Sequence, residues 1–270
     1  MKCAISNIAW RADEDHAVAD LLPRFGIQGV EIAPTRVWKD PLASTSAHVS
    51  EQRRFWENRG LPIVALQSLL FGHPELTLFG TEEARAKTLK YLFGMVSLAR
   101  DLGAQVLVFG SPKNRKVGAC SAAEIQSIAV NFFRELGNRA AQAGVCFCIE
   151  PNPPYYDCDF VTASADGLAL VQAVNSPGFG LHLDAAAMTL AKEDPDVALS
   201  AAAGKIQHFH VSEKDLAPIG GGSVDHARFA AALRKIKYSN WISVEMRPLQ
   251  EGNNVPQIQK SLDVLQSVYG

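Results

Sequence analysis

Nowhere in the 270-residue chain do apolar residues run unbroken for the roughly 18 positions that a transmembrane helix needs. Cysteine is scarce and odd in number, five in all, with none of the paired spacings of a zinc finger. Cys146 and Cys148 fall two apart in one apolar run, so they point the same way and read as small reduced core residues of a cytosolic protein. Neither sign of charge is in excess: Lys and Arg number 26 against 28 Asp and Glu, a net charge of -2. That balance argues against a nucleic-acid partner, which would call for a basic stripe. No Gly-x-Gly-x-x-Gly follows the first apolar run, which weighs against a doubly wound open sheet. The first six residues lack the layout of a signal peptide, so a cytoplasmic location is expected. No linker or low-complexity stretch divides the chain, and residues 1–270 read as one domain.

Apolar residues are abundant, at 47%, and they are patterned. Short apolar runs at 3–9, 29–33, 62–67, 105–109, 145–149, 179–183, 205–211 and 241–244 have the length and flanking breakers of buried strands. Amphipathic segments at 13–25, 44–59, 81–102, 121–143, 162–175, 194–203, 224–236 and 255–268 alternate with them. Thr81-Glu82-Glu83 opens a helix with a cap and acids in the first turn, and Gly103 closes it. Eight strand-plus-helix units imply a parallel sheet, and in a chain of this size they predict a single α/β (β/α)8 TIM barrel. The longest irregular stretches, 68–80, 110–120, 151–161 and 212–223, all follow strands. They therefore belong to the carboxyl face of the barrel, where such folds carry their sites.

The last four strands each deliver a metal-ligand type of side chain near that face. They are Glu150 in Ile149-Glu150-Pro151-Asn152, Asp184 in His182-Leu183-Asp184, His210 in His208-Phe209-His210, and Glu245 in Val244-Glu245-Met246. Strands of a barrel lie about 4.8 Å apart, so these groups converge on the axis. Three carboxylates crowded in low dielectric repel one another, and a divalent cation resolves the conflict. Three carboxylates and an imidazole suit Mn²⁺ foremost, with Mg²⁺, Co²⁺ and Zn²⁺ as alternatives. The competing reading, a network of core ion pairs, is weakened because no Lys or Arg sits at these strand ends.

With these motifs, together with Val211-Ser212-Glu213, the chain resembles the xylose-isomerase-like TIM barrels called sugar phosphate isomerases/epimerases. That group includes ketose 3-epimerases, hydroxypyruvate isomerase, inosose dehydratase and the barrel of endonuclease IV. The resemblance spans essentially the whole chain. It implies one divalent metal on Glu150, Asp184, His210 and Glu245, with Glu150 and Glu245 also acting as an acid/base pair on opposite faces of a substrate carbon. The expected function is then isomerisation or epimerisation of a sugar, sugar phosphate or related hydroxy-ketone through an enediolate. The alternatives are a dehydratase of a cyclic keto-polyol or keto-acid and, more remotely, a non-catalytic sugar-binding barrel. An endonuclease is disfavoured, since it needs further histidines, one of them where Ala187 stands.

The chain also departs from the ketose 3-epimerase pattern. Tyr156 replaces an acid after the first Glu, Ala187 and Met188 stand where a His is usual, and Leu216 stands where an Arg is frequent. A simple free ketose is therefore not the expected substrate. The candidate substrate contacts are His182, Lys113, Arg115, Gln67, Glu213 and Trp10. Lys113 and Arg115, in Ser111-Pro112-Lys113-Asn114-Arg115-Lys116, would suit a phosphate or carboxylate. His182 reads as a buttress or a substrate contact, and His208 stands to His210 in the same way. Glu31, in Gly29-Val30-Glu31-Ile32, could orient a substrate hydroxyl or pair with a basic residue, and both readings stay open. Phe55-Trp56, as exposed apolar helix positions, leave room for a homodimer.

Overall fold

The protein is described by a computed structural model covering residues 1–249 and 251–270. Eight short strands form a closed parallel barrel in sequence order, β1 through β8. The first half of the chain runs β1 (Lys2–Ser6), α1 (Asp15–Leu21), β2 (Gly29–Ile32), α2 (Pro34–Val37), α3 (Ser46–Glu57), β3 (Ile63–Leu66), α4 (Glu82–Leu102), β4 (Val106–Phe109) and α5 (Ala122–Gln142). The second half runs β5 (Cys146–Ile149), α6 (Ser164–Val174), β6 (Phe179–Asp184), α7 (Ala185–Leu190), α8 (Pro195–Ala201), β7 (Ile206–Ser212), α9 (His226–Lys235), β8 (Trp241–Glu245) and α10 (Val255–Tyr269).

The helices begin and end where capping chemistry allows. The Thr81 hydroxyl accepts from the Ala84 N–H at the start of α4, and Gly103 closes that helix at φ +84°. Ser121 and Glu124 form a reciprocal capping box on α5. Two predicted elements are shorter than the apolar pattern suggests. The first strand stops at Ser6 because the Asn7 side chain takes the Ala33 N–H and turns the chain out of the sheet. The first helix stops at Leu21, and Pro23, lacking an N–H, carries the chain on as a 3-10 turn. The short helices α2 and α7, each immediately after a strand, are additions to the expected order.

Inward-facing side chains stack in layers along the axis. At the amino end Ala4, Val64, Val106, Val108 and Cys148 form a small apolar plug, with Cys146 against it. Above it lie Glu31, His182 and His208, fully buried. One pleat further, at the carboxyl end, come Glu150, Asp184 and His210. The two-residue period of a strand generates these layers, since Cys148 and Glu150, His182 and Asp184, and His208 and His210 each share a face. Register completes the arrangement: His182 pairs with His208 and Asp184 with His210 across β6 and β7, and Glu245 lies opposite Ser212.

Candidate metal centre

Glu150, Asp184 and His210 offer ligand atoms that all lie within 4.8 Å of one another. Glu245 joins them, its Oε2 standing 3.3 Å from His210 Nδ1. That nitrogen, though buried, has no protein hydrogen bond. Asp184 and His210 are almost wholly buried, whereas the Glu150 and Glu245 side chains keep 14% and 13% exposure at the floor of a cleft. The two glutamates, on β5 and β8, flank the Asp184–His210 pair on β6 and β7.

Glu150, Asp184 and His210 are each held from behind. The Glu150 N–H donates to the Phe109 carbonyl, extending the β4–β5 ladder past the end of the strand. Gly110 leaves the space for its carboxylate: a Cβ there would meet Glu150 Oε2 at 2.3 Å. Asp184 caps α7, with Oδ1 accepting the Ala187 N–H at 2.6 Å and Oδ2 accepting the Ser212 hydroxyl. His210 Nε2 lies 2.9 Å from Glu31 Oε2, and the other Glu31 oxygen faces His208 Nε2 at 3.5 Å. A carboxylate behind one imidazole nitrogen fixes the ring and directs the other nitrogen toward the ligand position.

The electrostatics are those of a crowded acid cluster whose mutual repulsion a cation would relieve. Burial, together with the Glu245 and Asp184 charges, pushes Glu150 up to about 8. Burial and the Glu245 charge push Asp184 up to about 6. Burial works against the charge on Glu31, yet the His210 and His208 imidazoles hold its carboxyl well below the usual range. Burial likewise opposes a charged His210, but Glu31 and Glu245 hold it well above the ordinary histidine value. His182 goes the other way: burial, then its two histidine neighbours, hold it well below that value and keep it neutral. Oxygen and imidazole donors crowded to metal-ligand spacing, with an unpartnered imidazole nitrogen among them, fit a divalent cation.

A cleft of about 320 Å³ opens over these ligands. Of the predicted substrate contacts, Gln67 and Glu213 line it. His182 lies below, fully buried, with Nε2 3.7 Å from Glu150 Oε1. Arg115 is not a solvent-facing cation as expected. It is 0% exposed, and its Nη2 donates to the Glu150 main-chain carbonyl at 2.8 Å. Lys113 is exposed and lines a neighbouring recess with Phe71 and His73 rather than the cleft. Trp10 does not wall the cleft either. It is 1% exposed, packs on Trp56 at 6.1 Å between ring centroids and donates from Nε1 to Asp15. Trp56 is itself in the core, and Phe55 is covered by Arg59 and His16, so this pair does not form the exposed face expected for a dimer.

Several residues at the site were not singled out from sequence. Ser212 and Asn152 line the cleft, as does Gly110. Ser68 and Ser111 follow β3 and β4 and also line it, both in the left-handed region, at φ +54° and +42°. Glu31 was noticed without a partner. Its signal was a carboxylate in a strand apolar on both sides, and the partner is a histidine 179 residues away.

The comparisons with known proteins bear on the family and the fold. The family model described as xylose isomerase-like TIM barrel matches residues 19–268. A sequence relative, L-ribulose 3-epimerase of Methylomonas sp. (strain DH-1), is 26% identical over 82% of this chain and 74% of its own length. A solved D-psicose 3-epimerase superposes over 100% of both chains with a TM-score of 0.83 at 17% identity. A 3-keto-D-glucoside 4-epimerase from E. coli superposes over 99% of both chains with a TM-score of 0.81 at 18% identity. Identities this low in the two structures speak for the fold alone. No helix among the described residues is long and apolar enough to cross a membrane. The family match runs from the first helix to the last, and the chain belongs to the xylose isomerase-like TIM-barrel family.

Proposed function

We propose that this barrel inverts or relocates a proton-bearing stereocentre next to a sugar carbonyl, with Glu150 and Glu245 as the proton-moving pair and one divalent cation, Mn²⁺ foremost, on Glu150, Asp184, His210 and Glu245. The sequence relatives are ketose 3-epimerases, and the chain is an enzyme of the sugar isomerase/epimerase kind. The observation that carries the mechanism is the gathering of Glu150, Asp184 and His210 within 4.8 Å, with Glu245 beside His210.

What a divalent cation supplies at such a donor set is positive charge that polarises the vicinal oxygens of a hydroxy-ketone and makes the adjacent C–H acidic. The chain does the rest. Glu150 and Glu245 reach the substrate carbon from β5 and β8, the two flanks of the site. One carboxylate takes the proton and the C–H electron pair moves into an enediolate. The other carboxylate carries a proton for the opposite face, and its delivery to the same carbon is epimerisation. Delivery to the former carbonyl carbon is aldose–ketose isomerisation. A positioned carboxylate contributes roughly 10²–10⁴-fold to such a step. Asp184, tied to Ala187 and Ser212, and His210, held by Glu31, would serve as ligands alone and move no proton.

Proton exchange tests the reading. Protein stripped of metal and then reloaded with Mn²⁺ is incubated in deuterated water with a panel of keto-sugars. Deuterium should enter the carbon next to the carbonyl only with metal present. Exchange that is indifferent to chelation would overturn the proposal.

A further inference from the structure

Three histidines converge just below the floor of the cleft. His182, His208 and His210 each offer a ligand atom within 4.8 Å of the other two, and all three are at most 1% exposed. Their ring centroids stand 4.1 Å apart for His182 and His210, 5.4 Å for His182 and His208, and 5.5 Å for His208 and His210. Three imidazoles on one tetrahedral ion, with bonds of about 2.1 Å, would hold their ring centres about 5 Å apart. Strand register sets this spacing. His182 pairs with His208 across β6 and β7, and His210 follows His208 on the same face.

Hydrogen bonding within the protein does not account for these rings. His182 Nδ1 and Nε2, His208 Nδ1 and Nε2, and His210 Nδ1 are buried without a partner among the described residues, as is Glu31 Oε1. Glu31 engages one ring nitrogen, His210 Nε2 at 2.9 Å. Its approach to His208 Nε2, at 3.5 Å, makes no hydrogen bond. Buried polar atoms are seldom left so, because each forfeits its hydration. The layer beneath shows the cheaper filling: Ala4, Val64, Val106, Val108 and Cys148 close the barrel with small apolar side chains.

The upper and lower groups offer different chemistry. Glu150, Asp184 and Glu245 gather oxygen about one imidazole, a set for a hard cation such as Mn²⁺. The three histidines present nitrogen alone, which favours Zn²⁺. Glu31 lies behind His210 and beside His208, as carboxylates lie behind zinc-bound imidazoles. The lower group opens upward past Glu150, whose Oε1 is 3.7 Å from His182 Nε2. His210 is common to both groups, and with Nε2 on Glu31 it has one nitrogen left to give.

We propose that His182, His208 and His210 form a second cation seat, selective for Zn²⁺, which competes with the Mn²⁺ seat above it for the His210 ring. A Zn²⁺ ion so placed lies beneath the cleft, out of reach of substrate oxygens. The competition rests on the centre proposed above, whereas the three-nitrogen seat stands on its own geometry.

The test loads metal-stripped protein with one equivalent of Zn²⁺ and reads its coordination by X-ray absorption at the zinc edge. The expected result is a shell of three imidazole nitrogens. His208→Gln, which alters the lower group alone, should lower Zn²⁺ affinity at least about 100-fold by calorimetric titration and leave Mn²⁺ affinity within about threefold. His182→Gln makes the same test of Zn²⁺ affinity if the first variant does not fold. A zinc shell of mainly oxygen with one imidazole overturns this inference and leaves the upper centre standing. Equal loss of both affinities, or a protein that takes up no Zn²⁺ and holds only water between the rings, overturns it as well. Three-nitrogen zinc in a protein that binds no Mn²⁺ keeps the lower seat and removes the upper one.

Discussion

Strands β5 to β8 bring Glu150, Asp184, His210 and Glu245 to the carboxyl end of the barrel, whereas β1 and β2 bring Ser6 and Glu31, paired in register, to the layer below and β3 and β4 lead into Gln67 and Gly110. The second half of the chain supplies the proposed ligands and, through Ala187 and Ser212, the support of Asp184, while the first half supports Glu150 and His210. Glu31 stands behind His210, Gly110 makes room for Glu150, and Ser6 fixes Gln67 at the rim. A closed barrel brings the halves together, so Glu31 and His210 meet in space though they are 179 residues apart in sequence. The division also separates chemistry from tolerance. A change on the ligand side should remove the reaction, and a change on the support side should weaken it by degrees.

The sharpest way to break this comparison is to substitute the proton-moving pair. Glu150→Gln and Glu245→Gln are each expected to lower substrate deuteration by roughly 10³-fold, within the range for a lost general base. Circular dichroism of both variants should match the parent. Near-parental exchange in either would remove that residue from the reaction. Next in size is Glu31→Gln on the support side, which should weaken Mn²⁺ affinity roughly 10- to 100-fold by calorimetric titration. An unchanged affinity would mean that the first half of the barrel takes no part in the centre.

A smaller effect should appear in stability. Glu150 and Asp184 sit above their ordinary values in the metal-free protein, at about 8 and about 6. The folded chain therefore holds protons that the unfolded chain releases. Their contribution to stability is full below the ordinary carboxyl range and is lost as pH rises through those two values. The Tm of chelated protein should fall by several degrees between about pH 5 and about pH 9, and the gain on adding Mn²⁺ should grow over the same interval. A gain independent of pH would argue that the cation does not displace protons from these carboxyls. Least of all should come from Lys113→Ala, which faces the neighbouring recess and should leave KM within about twofold for neutral and phosphorylated substrates alike. A large rise for the phosphate alone would restore Lys113 to the site.

The four proposed ligand positions stand out in the sequence because each sets an ionisable group at the end of an apolar strand, which is costly without a partner. The barrel was legible for a related reason: strand-length apolar runs alternating with capped amphipathic helices leave few arrangements. Arg115 could not be read in the same way. Its neighbours Lys113 and Lys116 are surface cations, whereas its guanidinium turns inward and donates to the Glu150 main-chain carbonyl. Trp10 and Trp56 looked free because their mutual contact joins a loop to a helix. The helix α7 was missed because its cap, Asp184, was read as a ligand alone. The carboxylate caps α7 and, in the proposed centre, holds the cation as well.

That double use of Asp184 gives the centre a built-in reporter. The Ala187 amide donates to Asp184 Oδ1 at 2.6 Å, so its proton hangs on the oxygens proposed to face the cation. Loading and unloading the site should register as a shift and a change in exchange rate at one backbone amide, readable by NMR without substrate or turnover. Occupancy could then be followed residue by residue while the chemistry is silent.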